Sequence, residues 1–404
     1  MKTRIKNIKS ITSWSPKEDK LKIINDTNIV IENEKIFYIG KNKFSVDKEI
    51  DANGALITPG FIDSHTHPIF YNNRSEEFFL RTKGISYDEI SRGGGGILSS
   101  IKSVREVSEE KLFNRSLQRI NYFLKNGTTT IEAKSGYGLN TKNELKLLSV
   151  IKKLNEVSCL DLVPTFMGAH AVPQEYNKDT YINLICNEMI PAIAEKQLAE
   201  YCDVFCENGY FSIEDSKKIL LKAKEYGMKI RLHADEFEDS GAANLAAELS
   251  AISADHLMAV SDIGIKSLAK RNVIATILPG TTFFLGKQSY ANGRKIIDLG
   301  CDICIATDYN PGSSTTQSMP LIIFLACLYC NINIEEAFKA ATWNAARSLN
   351  RENIIGAISE GYQADILFWD LKNINEIAYW MNSDRLMKVM KKGKIINHES
   401  LKFD

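Results

Sequence analysis

The sequence predicts an α/β fold, a (β/α)8 TIM-type barrel with a small β-sandwich domain built from both chain termini. Three observations lead there. From about Leu56 to Asn350, short apolar runs alternate with helical segments, the signature of βαβ units. Eight such runs can be picked out. Before and after this stretch the chain has strand-and-turn character, as in LKIINDTNIVIENEKIFYIG and GAISEGYQADILFWDL, with no long helical period. The boundaries read 1–56 and 351–404 for the two parts of the β domain and 57–350 for the barrel. A doubly wound parallel sheet, built from the same units, is the runner-up.

In order, the eight strands are LITPGFIDSH, TTTIEA, CLDLVPTFM, YCDVFC, MKIRLHA, AISADHL, VIATIL and CDICIAT. Helix signals punctuate them. Thr141 and Glu144 read as a capping box before Leu145, Leu148 and Ile151. Ser108 opens another helix, which Gly127 can close. The run Gly93 to Gly96 lacks the Lys-Ser or Lys-Thr of a phosphate-binding loop. It is read as a loop over the barrel mouth, with a structural turn as the alternative.

Bulk composition excludes several classes. The 404 residues are 44% hydrophobic and 25% charged, ordinary values for a globular protein with a sizeable core. Lys+Arg and Asp+Glu are 50 each, which gives no electrostatic reason to bind nucleic acid or an anionic membrane. The longest apolar stretch, Leu321 to Tyr329, is far below the ~18 residues of a membrane span. The basic start MKTRIKNIKS has no apolar h-region, so no signal peptide is read. The eight cysteines lie in runs such as LACLYC and GCDICIA, which reads as buried, reduced thiol in a cytoplasmic protein. Cys301 and Cys304 form a CxxC with no second pair, and are read as buried strand residues before structural zinc.

The histidines are the most informative residues. Of six, His398 falls in the terminal tail, and the other five fall at the C-terminal ends of predicted strands. His65 and His67 end the first strand, His170 follows the third, His233 ends the fifth and His256 the sixth, while Asp308 follows the eighth. In a barrel that end is the catalytic face. Residues two apart on a strand share a face, so His65 and His67 can bind one cation, and His233 and Asp308 can complete the site across the mouth. Three imidazoles and a carboxylate suit Zn²⁺ or Fe²⁺. Arg74, just past the motif, could fork onto a substrate carboxylate, with Arg81 and Arg92 as weaker candidates.

PGFIDSHTH, the later lone histidines, TDYNPGS and the terminal GYQADILFWDL resemble the amidohydrolase superfamily. Within it, HTHPIFYNNRSEEFFLRTKG, SRGGGGI, AKSGYGL, GAHAVP, HADEF, SADHL, LPGTTFFLG and TDYNPGSS are similar to the imidazolonepropionase family and cover most of the barrel. The resemblance implies hydrolytic ring opening of 4-imidazolone-5-propanoate to N-formimidoyl-L-glutamate by a metal-activated water. It implies one Zn²⁺ or Fe²⁺/Fe³⁺ per chain and a homodimer. It implies His65, His67, His233 and Asp308 as metal ligands and Asp308, His256 and Glu236 as catalytic groups. Arg74, Tyr137, His170, Glu236, Asn310, Gly312 and Ser313 are the implied substrate-binding groups. Two alternatives stand beside this: a nucleobase-type deaminase of the same superfamily, and a non-catalytic, amidohydrolase-like assembly protein.

Overall fold

A computed structural model describes residues 1–86, 89–90, 93–381 and 384–397. Arg92 and His398 lie outside the described residues. The chain opens with seven strands: β1 (Lys2–Lys6), β2 (Ser10–Ser15), β3 (Lys20–Asn25), β4 (Asn28–Glu32), β5 (Lys35–Gly40), β6 (Lys48–Asp51) and β7 (Leu56–Pro59). Eight parallel strands follow: β8 (Phe61–Asp63), β9 (Thr128–Lys134), β10 (Asp161–Ala169), β11 (Tyr201–Cys206), β12 (Lys229–Ala234), β13 (Ser253–His256), β14 (Ile274–Ile277) and β15 (Ile303–Ile305). They pair in strict sequence order from β8 to β15. Each of the eight predicted runs supplies one of them.

The seam between β15 and β8 closes just beyond the strands. The Asp308 amide donates to the His65 carbonyl, and the His67 amide to the Tyr309 carbonyl. The Asp63 carboxyl receives the Thr307 amide and hydroxyl. These contacts hold the His65 and Asp308 backbones side by side. Within the barrel, Ile62, Val163, Tyr201, Ile274 and Cys304 pack with Leu349 into an apolar cluster.

Chain ends β16 (Ile366–Trp369), β17 (Leu386–Lys391) and β18 (Lys394–Ile395) join β7, β2 and β3 in one six-stranded sheet. β5, β4, β1 and β6 form a second sheet. Ile5, Ile11, Ile29, Ile31, Ile57, Ile366 and Phe368 pack together as their core.

Three sequence readings are corrected. LITPGFIDSH is not one barrel strand: Leu56–Pro59 pairs with β16 and β2, and only Phe61–Asp63 enters the barrel. The helix Thr141–Val157 is capped by Asn140, whose side chain accepts from the Asn143 amide. Glu144 is instead buried and accepts from the amides of Gly136, Gly138 and Leu139, because N–H groups buried in that turn need an acceptor. The cysteines are not all buried, since Cys159 is exposed. By contrast, Ser108 does cap the helix Glu109–Lys125, and Gly127 follows that helix at φ 85°. Cys301 and Cys304 are buried as read.

One ion cluster ties the terminal sheet to the barrel. Lys391 on β17 reaches Asp365 at 2.6 Å and Asp161, the first residue of β10, at 2.7 Å. Removing one partner of a buried pair leaves uncompensated charge. Lys391→Met should lower stability by about 2–3 kcal/mol, discounted because Asp161 is partly exposed. A urea unfolding midpoint that does not move would contradict this role.

Candidate active site

The five barrel histidines meet at the C-terminal mouth. His65, His67 and His233 form a group whose ligand atoms lie within 4.8 Å of one another. Asp308 Oδ1 stands 3.6 Å from the Nε2 atoms of both His65 and His67. Its other oxygen accepts from the Thr281 hydroxyl at 2.6 Å. The four residues read from sequence as ligands are therefore adjacent.

Beneath them lies a buried ion network. His65 Nδ1 meets Asp255 Oδ2 at 2.7 Å, and His233 Nδ1 meets Asp203 Oδ1 at 3.1 Å. A carboxylate only accepts, so each ring carries its proton on Nδ1 and turns an Nε2 lone pair toward the mouth. Lys134 bonds Asp203 at 2.6 Å and Glu132 at 2.7 Å. Arg231 bonds Asp255 at 3.2 Å and the Ser64 and Ser348 carbonyls. All five charged side chains are fully buried. Burial opposes ionisation of Asp203 and Asp255. Their cationic neighbours outweigh it, and both carboxyls stay below their ordinary range.

Burial holds His65, His67 and His256 well below the usual imidazole range, and His170 at about 3. Neutral rings are what a metal needs. Burial also disfavours the charged form of His233, but Asp203 outweighs it and shifts that ring upward. The donor set fits a cation. Among the described residues, buried His65 Nε2 has no hydrogen-bond partner. In the network Lys134 and Arg231 face Glu132, Asp203 and Asp255, and Asp308 adds a further carboxylate. A divalent ion would balance that excess.

A cavity of about 690 Å³ opens above this group. His67, His170, His233, His256 and Asp308 line it, with Arg74, Tyr137, Glu236, Asn310 and Ser313. Of the acids Asp235, Glu236, Glu238 and Asp239, only Glu236 lines the cavity. Asp235 turns away to cap the amides of Ala242 and Ala243. Burial, reinforced by the Asp308 charge, raises Glu236 to about 7. Its Oε2 lies 3.5 Å from His256 Nδ1. His170 packs on His67 with ring centroids 5.1 Å apart, and its Nδ1 meets the Gly136 carbonyl at 3.0 Å. A Cβ at Gly136 would stand 3.0 Å from that ring nitrogen.

The loop after β15 separates the remaining candidates. Asn310 Oδ1 accepts from the amides of Gly312 and Ser313, so this side chain shapes its own turn as well as lining the cavity. Gly312 is not a wall residue; it lies against the Arg74 guanidinium. Arg81 lines the mouth and stacks on Phe78 and Phe284, 5.5 and 5.0 Å from their centroids. Gly93, Gly95 and Gly96 donate to Glu89 O, Ile90 O and Glu77 Oε1, making a bonded turn into the helix Ile97–Glu106.

Sequence reading missed Glu132, Lys134, Asp203, Arg231 and Asp255. A signal was present. They are charges inside apolar strand runs, and Glu132/Lys134 and Arg231/His233 are two apart, which puts each pair on one face. It also missed Phe205, Tyr210, Phe237 and Lys287 on the cavity wall, which carry no such signal.

Residues 56–396 match the amidohydrolase family model. The chain belongs to the amidohydrolase family. This amidohydrolase is 43% identical to an imidazolonepropionase of Thermoanaerobacter pseudethanolicus, covering 92% of this chain and 91% of that one. It is 42% identical to one of Clostridium tetani, covering 98% of each. Among solved structures it resembles an adenosine deaminase from Xanthomonas campestris with bound zinc, at TM-score 0.73 and 16% identity over 97% of this chain and 92% of that one. It also resembles a 5-methylcytosine deaminase from Klebsiella pneumoniae, at TM-score 0.74 and 16% identity over 98% and 97%. At such identity the two deaminases speak for the fold alone.

The amidohydrolase's metal group yields a prediction. His233→Ala removes one imidazole and should empty the site. Lys134→Met, which touches no ligand ring directly, should weaken metal affinity about 10–100-fold by freeing Asp203. Competition titration with a chromogenic chelator measures both. Unchanged affinity in Lys134→Met would mean that the network does not orient His233.

Proposed function

We propose that this amidohydrolase is a metal-dependent imidazolonepropionase, using His65, His67, His233 and Asp308 to hold one zinc or iron ion. Water adds to the ring carbonyl of 4-imidazolone-5-propanoate, the ring C–N bond breaks, and N-formimidoyl-L-glutamate forms. The observation that carries this is the single cavity wall on which neutral imidazoles, an anion-binding guanidinium and a carboxyl near neutrality converge. The full-length likeness to imidazolonepropionases supports it.

The bound metal would lower the pKa of water toward ~7 and polarise the carbonyl. The chain's own residues do the rest. Asp308, raised by burial to about 6, can take the proton that the attacking water releases. His256, which lines the cavity, is assigned to hydrogen-bond the carbonyl oxygen as negative charge develops. Glu236, on the cavity wall and raised to about 7, is assigned to the ring nitrogen that leaves, where it can deliver a proton. Arg74 offers the propionate tail a planar fork. Tyr137, His170, Asn310 and Ser313 bound the ring, while Gly312 leaves room for Arg74. Among the described residues no helix is long and apolar enough to cross a membrane. Cytoplasmic placement and a homodimer complete the proposal, on the strength of the family resemblance.

A deaminase reading leaves Arg74 in the cavity without a purpose, and a non-catalytic reading leaves the complete ligand set without one. Purified protein given imidazolonepropionate, made in place from urocanate by urocanase, should yield N-formimidoylglutamate. Turnover of cytosine, adenine or guanine derivatives with none of imidazolonepropionate would overturn the proposal.

Glu236→Gln keeps the shape but cannot transfer a proton. It should cost ~10²–10⁴ in rate, retain its metal and flatten the pH–rate limb near 7. Parent-level turnover by this variant would move proton transfer to His170 or His256.

A further inference from the structure

Glu77 makes two directed contacts beside the cavity that the reaction does not use. It lies in the first turn of the helix Ser75–Thr82. Its Oε2 accepts from Arg74 Nε at 2.8 Å, and its Oε1 accepts from the Gly96 amide at 2.9 Å. Both charged side chains are largely buried, 7% exposed for Arg74 and 14% for Glu77. Gly96, at φ 68° and ψ −147°, opens the helix Ile97–Glu106, and Ile97 lines the cavity. On its other side the guanidinium lies against Gly312, where a Cβ would stand 2.2 Å from Nη1 and 2.4 Å from Cζ.

Arg74 is therefore fixed at its edge by a carboxylate and limited on its face by bare backbone. Fixing Nε sets the plane in which a guanidinium presents its Nη groups, and plane is what distinguishes a bidentate fork from a point charge. The same carboxylate sets where the apolar wall begins at Ile97. A propionate tail has both parts, two methylenes and a carboxylate. A shared anchor would hold the two surfaces that meet them at one spacing.

We propose that Glu77 is a positioning residue for tail recognition, coupling the orientation of the Arg74 fork to the Gly96–Ile97 wall. This rests on the assignment of Arg74 to the propionate tail. Gly93 to Gly96 then acts as a fixed partner of the anion site, through a hydrogen bond that needs only backbone at Gly96.

The test compares two probes that share a ring, imidazole-4-propionate and 4-methylimidazole, by calorimetry on the metal-loaded protein. Parent, Arg74→Ala, Glu77→Ala and the double variant are measured. The parent should prefer the tailed probe. Glu77→Ala should lose about tenfold of that preference, the scale of a hydrogen bond to a charged group. Metal content and 4-methylimidazole affinity should stay unchanged, and the double variant should lose no more than Arg74→Ala alone. If Glu77→Ala does not fold, Glu77→Gln carries the same test, since its one amide oxygen can serve Arg74 or Gly96 but not both. Equal weakening of both probes, full preference in the Glu77 variants, or strict additivity in the double variant would overturn the proposal. A preference that survives Arg74→Ala would fail earlier, at the tail assignment itself, and take this inference with it.

Discussion

The site depends on charge buried away from the protein surface. Lys134 and Arg231 lie fully buried among Glu132, Asp203 and Asp255 at the centre of the barrel. Burying such ions costs several kcal/mol each unless they are closely paired, and unpaired they would neutralise or unfold the barrel. Paired, they give two carboxylates a fixed direction. Asp255 aims His65, and Asp203 aims His233. The tautomer of each ring follows from its carboxylate, and the lone pairs at the mouth follow from the tautomers. Below this layer the apolar cluster of Ile62, Val163, Tyr201, Ile274 and Cys304 packs under the network.

The mouth also carries backbone strain. Asp235, His256, Leu257 and Asp308 have φ between 49° and 82°, a region that costs non-glycine residues about 1–3 kcal/mol each. Three of these positions end or follow β12 and β13, and the fourth follows β15. The seam bonds between Asp308 and His65 and between Tyr309 and His67 hold the last of them in place. Such geometry persists only where surrounding contacts over-determine it. Here it turns Asp308 and His256 into the cavity while Asp235 is left to cap a helix.

Much of this was legible in the sequence, because barrel periodicity and rare histidines are strong signals. Eight apolar runs marked eight strands, and five of the six histidines sat at the end that faces the mouth. What stayed hidden needed three-dimensional pairing. The split of LITPGFIDSH at Gly60 could not be seen, since Leu56–Pro59 is as apolar as a barrel strand and its partner, Ile366–Trp369, is some 300 residues away. Glu144 carried a capping signal, but the stronger demand came from three buried amides in the turn before it. Lys134 and Arg231 stand out as charges inside apolar runs, but their pairing with Asp203 and Asp255 is set only when the barrel closes around them. Glu77 looks like a helix-start acid until Gly96 is brought within hydrogen-bond reach.

The most direct test of the central claim is an anomalous-diffraction map of metal-loaded crystals at the metal edge. If the buried network sets the ligand lone pairs, one strong peak will lie about 2.0–2.2 Å from the Nε2 atoms of His65, His67 and His233 and beside Asp308. The alternative is explicit, because His65, Asp203 and Asp255 also form a cluster close enough to hold an ion. A peak in that lower cluster, displacing Lys134 from Asp203, would contradict the account.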